Sequence, residues 1–229
     1  MSECQNGQNH ERSIVQRKPL CWYYSSDPDT LQHEIAWCRG FFSGKERDKS
    51  TSKFFGAGDR NVPILIVPHG AFCDSGPLVA AAFERYIPRD VDIIIFIGTE
   101  HESCSRNKIY CCNILQWATP LGILELDEDA LKHIHSFLPI DNVPFLGEHS
   151  IENQLPFLQS MLMDQPNPWK MVALNVHGCV EKHDLLPIQH AATNLANAVR
   201  DIQRRTRKKV AVVATTDYTH AGPGYGEIP

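Results

Sequence analysis

Four histidines, His69, His101, His177 and His220, each stand within a few residues of the end of an apolar run, in a chain holding 11 histidines. Neutral imidazole is a ligand for zinc, iron and copper, and two or three of them with a carboxylate or thiolate make a complete coordination shell. His69 and His101, joined by one of His149, His220 or Asp217, are the residues expected to converge in this way. The group Glu148, His149 and Glu152 adds carboxylates within one helical turn of an imidazole. That composition suits proton transfer, or the orienting of a ligand ring through its second nitrogen. Its competing reading is a solvated helix start whose acids complement the positive end of the dipole. His177 has no acidic neighbour, so a structural role is expected there.

The elements that must position these residues are legible as alternating strands and helices. Pro63 to Val67 is short, β-branched and bounded by prolines, which reads as a strand buried on both faces and ended by Pro68. His69 and Gly70 follow directly. Asp92 to Gly98, Lys170 to Val176 and Lys209 to Thr216 repeat that character, and Lys108 to Ile114 reads as an outer strand. Asp27-Pro28 caps a helix carrying Leu31, Ile35, Cys38 and Phe42. Ser75-Gly76-Pro77 opens a second helix, Glu128 to Phe137 forms a short third, and Asp184 begins a long one through Ile202. Ser150 is placed to cap a helix with Ile151, Leu155, Leu158 and Leu162, which Pro156 either kinks or truly begins. Strands alternating with helices imply right-handed crossovers and a mostly parallel sheet, so the strand ends that carry the histidines share one edge. Open α/β sheets place their chemistry at that edge. The expected fold is a single α/β domain over residues 18–229, preceded by a disordered tail over residues 1–17.

Composition narrows the function classes. A charged fraction of 21% and a net charge of −5 give no footprint for nucleic acid or a membrane surface. No apolar run approaches a bilayer span, and the polar start MSECQNGQNHERS lacks the core of a signal peptide. The eight cysteines form no C-x-x-C pair, and there is no N-x-S/T acceptor, which fits reduced thiols in the cytoplasm. The run Arg204 to Lys209 leaves the nucleus as a second compartment. The expectation for it is plainer: cations at a helix C-terminus complement the dipole.

Taken in order, IVPHGAF with DSG, GTEH, TPLGILELD, GEHSIENQLPFL and TTDYTHAG resemble the Memo family, as does the opening Cys21-Trp22-Tyr23 with Asp27-Pro28. EHSIE followed by QLPFL is the specific part; PHG and GTEH alone are not. The resemblance runs from Arg17 to the end of the chain. It implies a fold similar to the class III extradiol dioxygenases and a mononuclear iron or copper site, redox-active in an oxidase- or dioxygenase-like sense. It also implies a link to cell motility signalling or metal homeostasis. The alternative is a non-catalytic adaptor that docks a phosphopeptide or signalling protein in the same pocket.

Carried over by motif, the resemblance implies metal ligation by His69 and His101, completed by a cysteine near the family's C-terminus. It makes Asp217 and His220 a pocket pair and places His149 and Glu152 in the HSIE motif; these four are the candidate catalytic residues. Three departures stand out. The turn reads His-Gly-Ala where the family more often has His-Ala-Gly, and Thr-Glu-His replaces the usual Pro-Ser-His. The chain also reaches Pro229 without the ligand cysteine, so a C-terminally shortened form is expected, with Cys73 and Cys104 as the thiols nearest the relevant turns.

Overall fold

Runs that are apolar on both faces leave no side for solvent, and three of them here become inner strands of a six-stranded sheet. Ile64–Val67, expected to be buried on both faces, instead forms its edge, with Ile64 and Ile66 each 60% exposed. The computed structural model describes residues 14–16, 23–42, 64–101, 108–111, 115–142, 148–177 and 186–217. Its strands are β1 (Ile14–Gln16), β2 (Ile64–Val67), β3 (Ile93–Thr99), β4 (Lys108–Cys111), β5 (Gln116–Thr119), β6 (Gly122–Glu125), β7 (Asp141–Asn142), β8 (Lys170–His177) and β9 (Val210–Thr215). The helices are α1 (Pro28–Gly40), α2 (Phe72–Tyr86), α3 (Glu128–His135), α4 (Leu155–Leu162) and α5 (Leu186–Thr206).

The large sheet runs in the order β2-β9-β3-β8-β4-β7. Its first four strands are mutually parallel, β4 lies antiparallel to β8, and β7 lies parallel to β4. A smaller sheet, β1-β5-β6, is built on the hairpin of β5 and β6, with Ile14–Gln16 added in parallel, so these three residues of the expected disordered tail are a paired strand. Alternation along each inner strand divides the core in two. Ile94, Phe96, Ala173 and Val213 meet Leu31, Ile35, Val79, Phe83 and Leu158 on one face. Ile95, Val172, Leu174 and Val212 meet Ile134, Ala198 and Ile202 on the other. The fold is therefore a single α/β domain with a mostly parallel sheet between helices.

Two boundaries differ from the expectation in ways that bear on the site. α2 begins at Phe72 and not at Ser75, leaving Pro77 inside the helix. A tertiary bond sets this start: the Phe72 N–H donates to the Tyr23 carbonyl at 2.8 Å. Pro156 marks the first turn of α4 and introduces no kink, with a 3-10 turn (Glu152–Gln154) immediately before it. Ser150 does not cap this segment, since Ile151 holds that position. Asp184 lies outside the described residues.

The basic run that begins in the last turn of α5 is tied to acids. Arg204 and Arg205 both contact Asp201, at 2.5 and 2.6 Å. Lys208 reaches Asp127 at 2.9 Å, and Lys209 pairs with Asp90. Among the described residues no helix is long and apolar enough to cross a membrane.

Asp127 has a second task. Its Oδ1 caps α3 by accepting the Ala130 N–H at 2.9 Å. Burial, the largest influence on this carboxyl, raises its pKa, but the Ala130 N–H and the Lys208 ammonium outweigh it and hold the pKa below the ordinary value. A depressed folded-state pKa adds stability above the unfolded-state value and loses it as pH falls through the folded one. Asp127→Ala should cost about 1–2 kcal/mol at pH 7. The gap in thermal midpoint between parent and variant should narrow as the pH is lowered to about 3. A gap that stays constant with pH would remove the charge from this account.

Candidate metal centre

Three strand-end or turn segments meet at the carboxyl edge of the large sheet. β2 delivers the first. Pro68 ends its ladder and His69 turns inward, almost wholly buried. Asp217, two residues past β9, accepts the His69 backbone N–H on Oδ1 at 2.9 Å, and its Oδ2 lies 3.4 Å from His69 Nε2. Thr215 Oγ1 sits 3.2 Å from His69 Nδ1. The carbonyls of this turn are held from the other side by two buried amides: Asn153 Nδ2 donates to His69 O at 2.7 Å, and Gln154 Nε2 donates to Pro68 O at 3.1 Å.

β3 delivers the second segment, Glu100-His101. Glu148 is 1% exposed and accepts the His101 N–H at 3.0 Å and the Ser150 N–H at 2.7 Å, so the solvated-helix-start reading of this residue is overturned. His101 Nδ1 lies 2.9 Å from Glu148 Oε2 and 3.2 Å from Oε1. A neutral ring that gives its Nδ1 proton to this carboxylate has Nε2 left for a ligand, the carboxylate–histidine arrangement common around bound metals. Burial, the largest influence on Glu148, raises its pKa, yet the His101 ring and the two N–H donors prevail and bring it down to about 2. The hydrogen bond to Glu148 is the leading reason that the His101 pKa is raised. Gly98 allows this proximity: a Cβ there would fall 2.5 Å from Ser150 Oγ and 2.5 Å from Asn175 Oδ1. Ser150 Oγ in turn binds both the N–H and the carbonyl of Thr99, at 3.0 and 3.1 Å.

The third segment is the turn carrying His149. Its ring stacks on His101, centroids 4.7 Å apart at 17°, and stands edge-on to His69 at 5.5 Å. Tyr23 stacks on its opposite side at 4.4 Å and 21°. One ring nitrogen from each of His69, His101 and His149 lies within 4.8 Å of the other two. Burial is the main reason that the His149 pKa is lowered, to about 4, so that ring is neutral near pH 7 and keeps its lone pair. Three converging imidazoles, one already oriented by a carboxylate, are a donor set that fits zinc, iron or copper.

The family model described as Memo-like protein matches residues 21–228. The chain belongs to the Memo-like family. MEMO1 family proteins of three archaea are similar along most of it. That of Saccharolobus islandicus is 28% identical, covering 88% of this chain and 68% of its own length. Those of Methanopyrus kandleri and Methanothermobacter thermautotrophicus are 27% and 25% identical, with 88% of this chain covered by each and 67% and 68% of their own lengths.

Within this Memo-like chain the residues singled out by sequence fall in different places. His69 and His101 come together with His149, which bottom-up reading offered as one of three alternatives for the third partner. Asp217 lies against His69. Glu152 is buried and its Oε1 accepts the Tyr24 hydroxyl at 2.7 Å. His220 and Cys104 lie outside the described residues. Cys73 is exposed, with its Sγ 3.5 Å from Asp74 Oδ1, and is not part of the three-histidine group. Glu100, the unusual residue of the Thr-Glu-His turn, is buried, and Asn175 Nδ2 lies 3.5 Å from its Oε2. Sequence reading missed Tyr23, Asn153, Gln154 and Thr215. Two adjacent amides leading into the apolar LPFL run were the available sign, because a buried amide has to find backbone partners.

Proposed function

We propose that this chain holds one redox-capable metal ion, iron or copper, on His69, His101 and His149. In this reading it supports oxidase- or dioxygenase-like chemistry on a small organic substrate. The observation that carries the proposal is the convergence of three imidazole nitrogens within 4.8 Å. When bound, such an ion supplies Lewis-acid and one-electron chemistry. The remaining work belongs to side chains of this chain. Glu148 fixes the plane and protonation of His101. Asp217, with Oδ2 3.4 Å from His69 Nε2, is a carboxylate placed to accept or return a proton. Glu152 and His220 stay candidates for proton transfer, while His149 changes role from proton carrier to ligand. The resemblance extends the proposal to metal homeostasis or motility signalling in the cytoplasm. The adaptor reading uses the same pocket but leaves the convergence of three imidazoles without a purpose.

The test is metal analysis of purified protein, followed by oxygen consumption with a reductant present. His69→Ala combined with His101→Ala should abolish iron or copper binding and leave the circular dichroism spectrum nearly unchanged. Binding that persists in the double variant would overturn the site. Retention of zinc alone, with no oxygen uptake, would overturn the redox part.

A further inference from the structure

The third imidazole is the least tethered of the three. His69 is held by Asp217 and by Asn153, and His101 is held by Glu148 through two atoms. For His149 the nearest carboxylate oxygen among the described residues, Glu148 Oε1, lies 4.0 Å from Nδ1, beyond a hydrogen bond. Its plane is defined instead by stacking, with His101 on one side and Tyr23 on the other. Offset stacking of this kind adds to burial and resists rotation of the sandwiched ring.

Tyr23 is itself fixed by three separate connections. Its carbonyl accepts the Phe72 N–H at the start of α2. Its neighbour Tyr24 is buried, donates its hydroxyl to Glu152 at 2.7 Å and packs on Phe72 at 5.3 Å. Glu152 belongs to the same turn that carries His149. The pair Tyr23-Tyr24 thus bridges the turn that bears His69, through Phe72, and the turn that bears His149, through Glu152 and the ring stack.

We infer that Tyr23 is the positioning residue for His149: its aromatic face, rather than its hydroxyl, sets the imidazole plane in which the third nitrogen meets a metal ion. This rests on the three-histidine site proposed above. It makes separate demands on ring and hydroxyl, since phenylalanine or tryptophan at position 23 preserves a flat face and leucine does not.

Cobalt(II) is the probe, because its visible bands report the ligand field as well as occupancy. In the full chain, Tyr23→Leu should weaken cobalt affinity by about tenfold or more, the range found for groups that orient a ligand, and should shift or weaken the bands. Tyr23→Phe and Tyr23→Trp should keep both within about twofold. Tyr24→Phe, which loses only the bond to Glu152, should lower the thermal midpoint without changing the band positions. Unchanged affinity and bands in folded Tyr23→Leu overturn the inference, as does a loss in Tyr23→Phe equal to that in Tyr23→Leu. Should Tyr23→Leu not fold, proton NMR of the metal-free parent decides. Contacts between the Tyr23 and His149 rings, with upfield-shifted His149 ring protons, are expected, and their absence overturns the inference. Cobalt binding that survives His69→Ala with His101→Ala overturns the three-histidine site itself. Cobalt binding lost in that variant but untouched in Tyr23→Leu overturns only the role of Tyr23.

Discussion

Glu148→Gln should lower metal affinity by about ten- to a hundredfold, although the substitution changes one atom and leaves the proposed ligand set intact. The reason is that both oxygens of Glu148 act only as acceptors here. Oε1 takes the Ser150 N–H, Oε2 takes the His101 N–H, and the His101 ring reaches both. An amide has to turn its NH2 toward one of these donors, so one bond becomes a repulsion whichever way it is placed. Glu148→Ala goes further and leaves three donors without their acceptor: the part-buried N–H and ring of His101, and the buried Ser150 N–H, whose loss alone costs about 1–3 kcal/mol. Its expected thermal midpoint is therefore well below that of Glu148→Gln. Metal titration and thermal melts of both variants check this ordering. A folded Glu148→Gln protein with the parent's affinity would show that His101 needs no orienting partner.

Gly98→Ala, a single methyl away from any ligand, should damage fold and site together. The new Cβ would stand 2.5 Å from Asn175 Oδ1, 2.5 Å from Ser150 Oγ and 2.7 Å from Ile151 Cγ1. Neither polar neighbour can retreat freely. Ser150 is bonded to the Thr99 backbone from both sides, and Asn175 is wholly buried in the centre of the sheet. The cost belongs at the upper end of overpacking, about 3 kcal/mol. In a domain of this size that lowers the midpoint by about 6–12 °C. Because the turn that retreats carries Glu148 and His149, metal affinity should fall in the surviving folded protein as well. A parent-like midpoint would mean that β3 and the His149 turn can part without loss.

The inner strands were legible because their residues are apolar on both faces, a pattern that only a sheet covered on both sides accepts. β3, β8 and β9 accordingly lie within a residue of where the pattern places them, while the same pattern misled at β2, an edge strand whose Ile64 and Ile66 face outward. The reversal of β4 against β8 could not be read, since a four-residue strand carries no record of its direction. Nor could the start of α2, because the bond that sets it comes from Tyr23, far upstream. At the site, strand ends announced His69 and His101. What remained hidden was which third group joins them, since His149 reaches the pair through a turn seated on Gly98 and a ring stacked on Tyr23. Contacts of that kind depend on three-dimensional packing and leave no periodic trace in the sequence.

The bonds that shape the His69 turn span great distances along the chain. Asp217 and Thr215 are separated from it by 148 and 146 positions, and Asn153 by 84. Closing loops of that length has an entropic cost that must be met before any such contact can stabilise the chain, so pairings of this kind form late in folding. A partly made chain carrying all three imidazoles still lacks the β9 strand end that seats the first of them. On the proposed three-histidine site, metal capture would then be a step that follows folding instead of guiding it. An ion bound only by the finished structure raises stability by mass action. In a cell poor in that ion, the fraction of this protein open to chaperones and proteases would rise, and its abundance would follow metal supply even at a constant rate of synthesis.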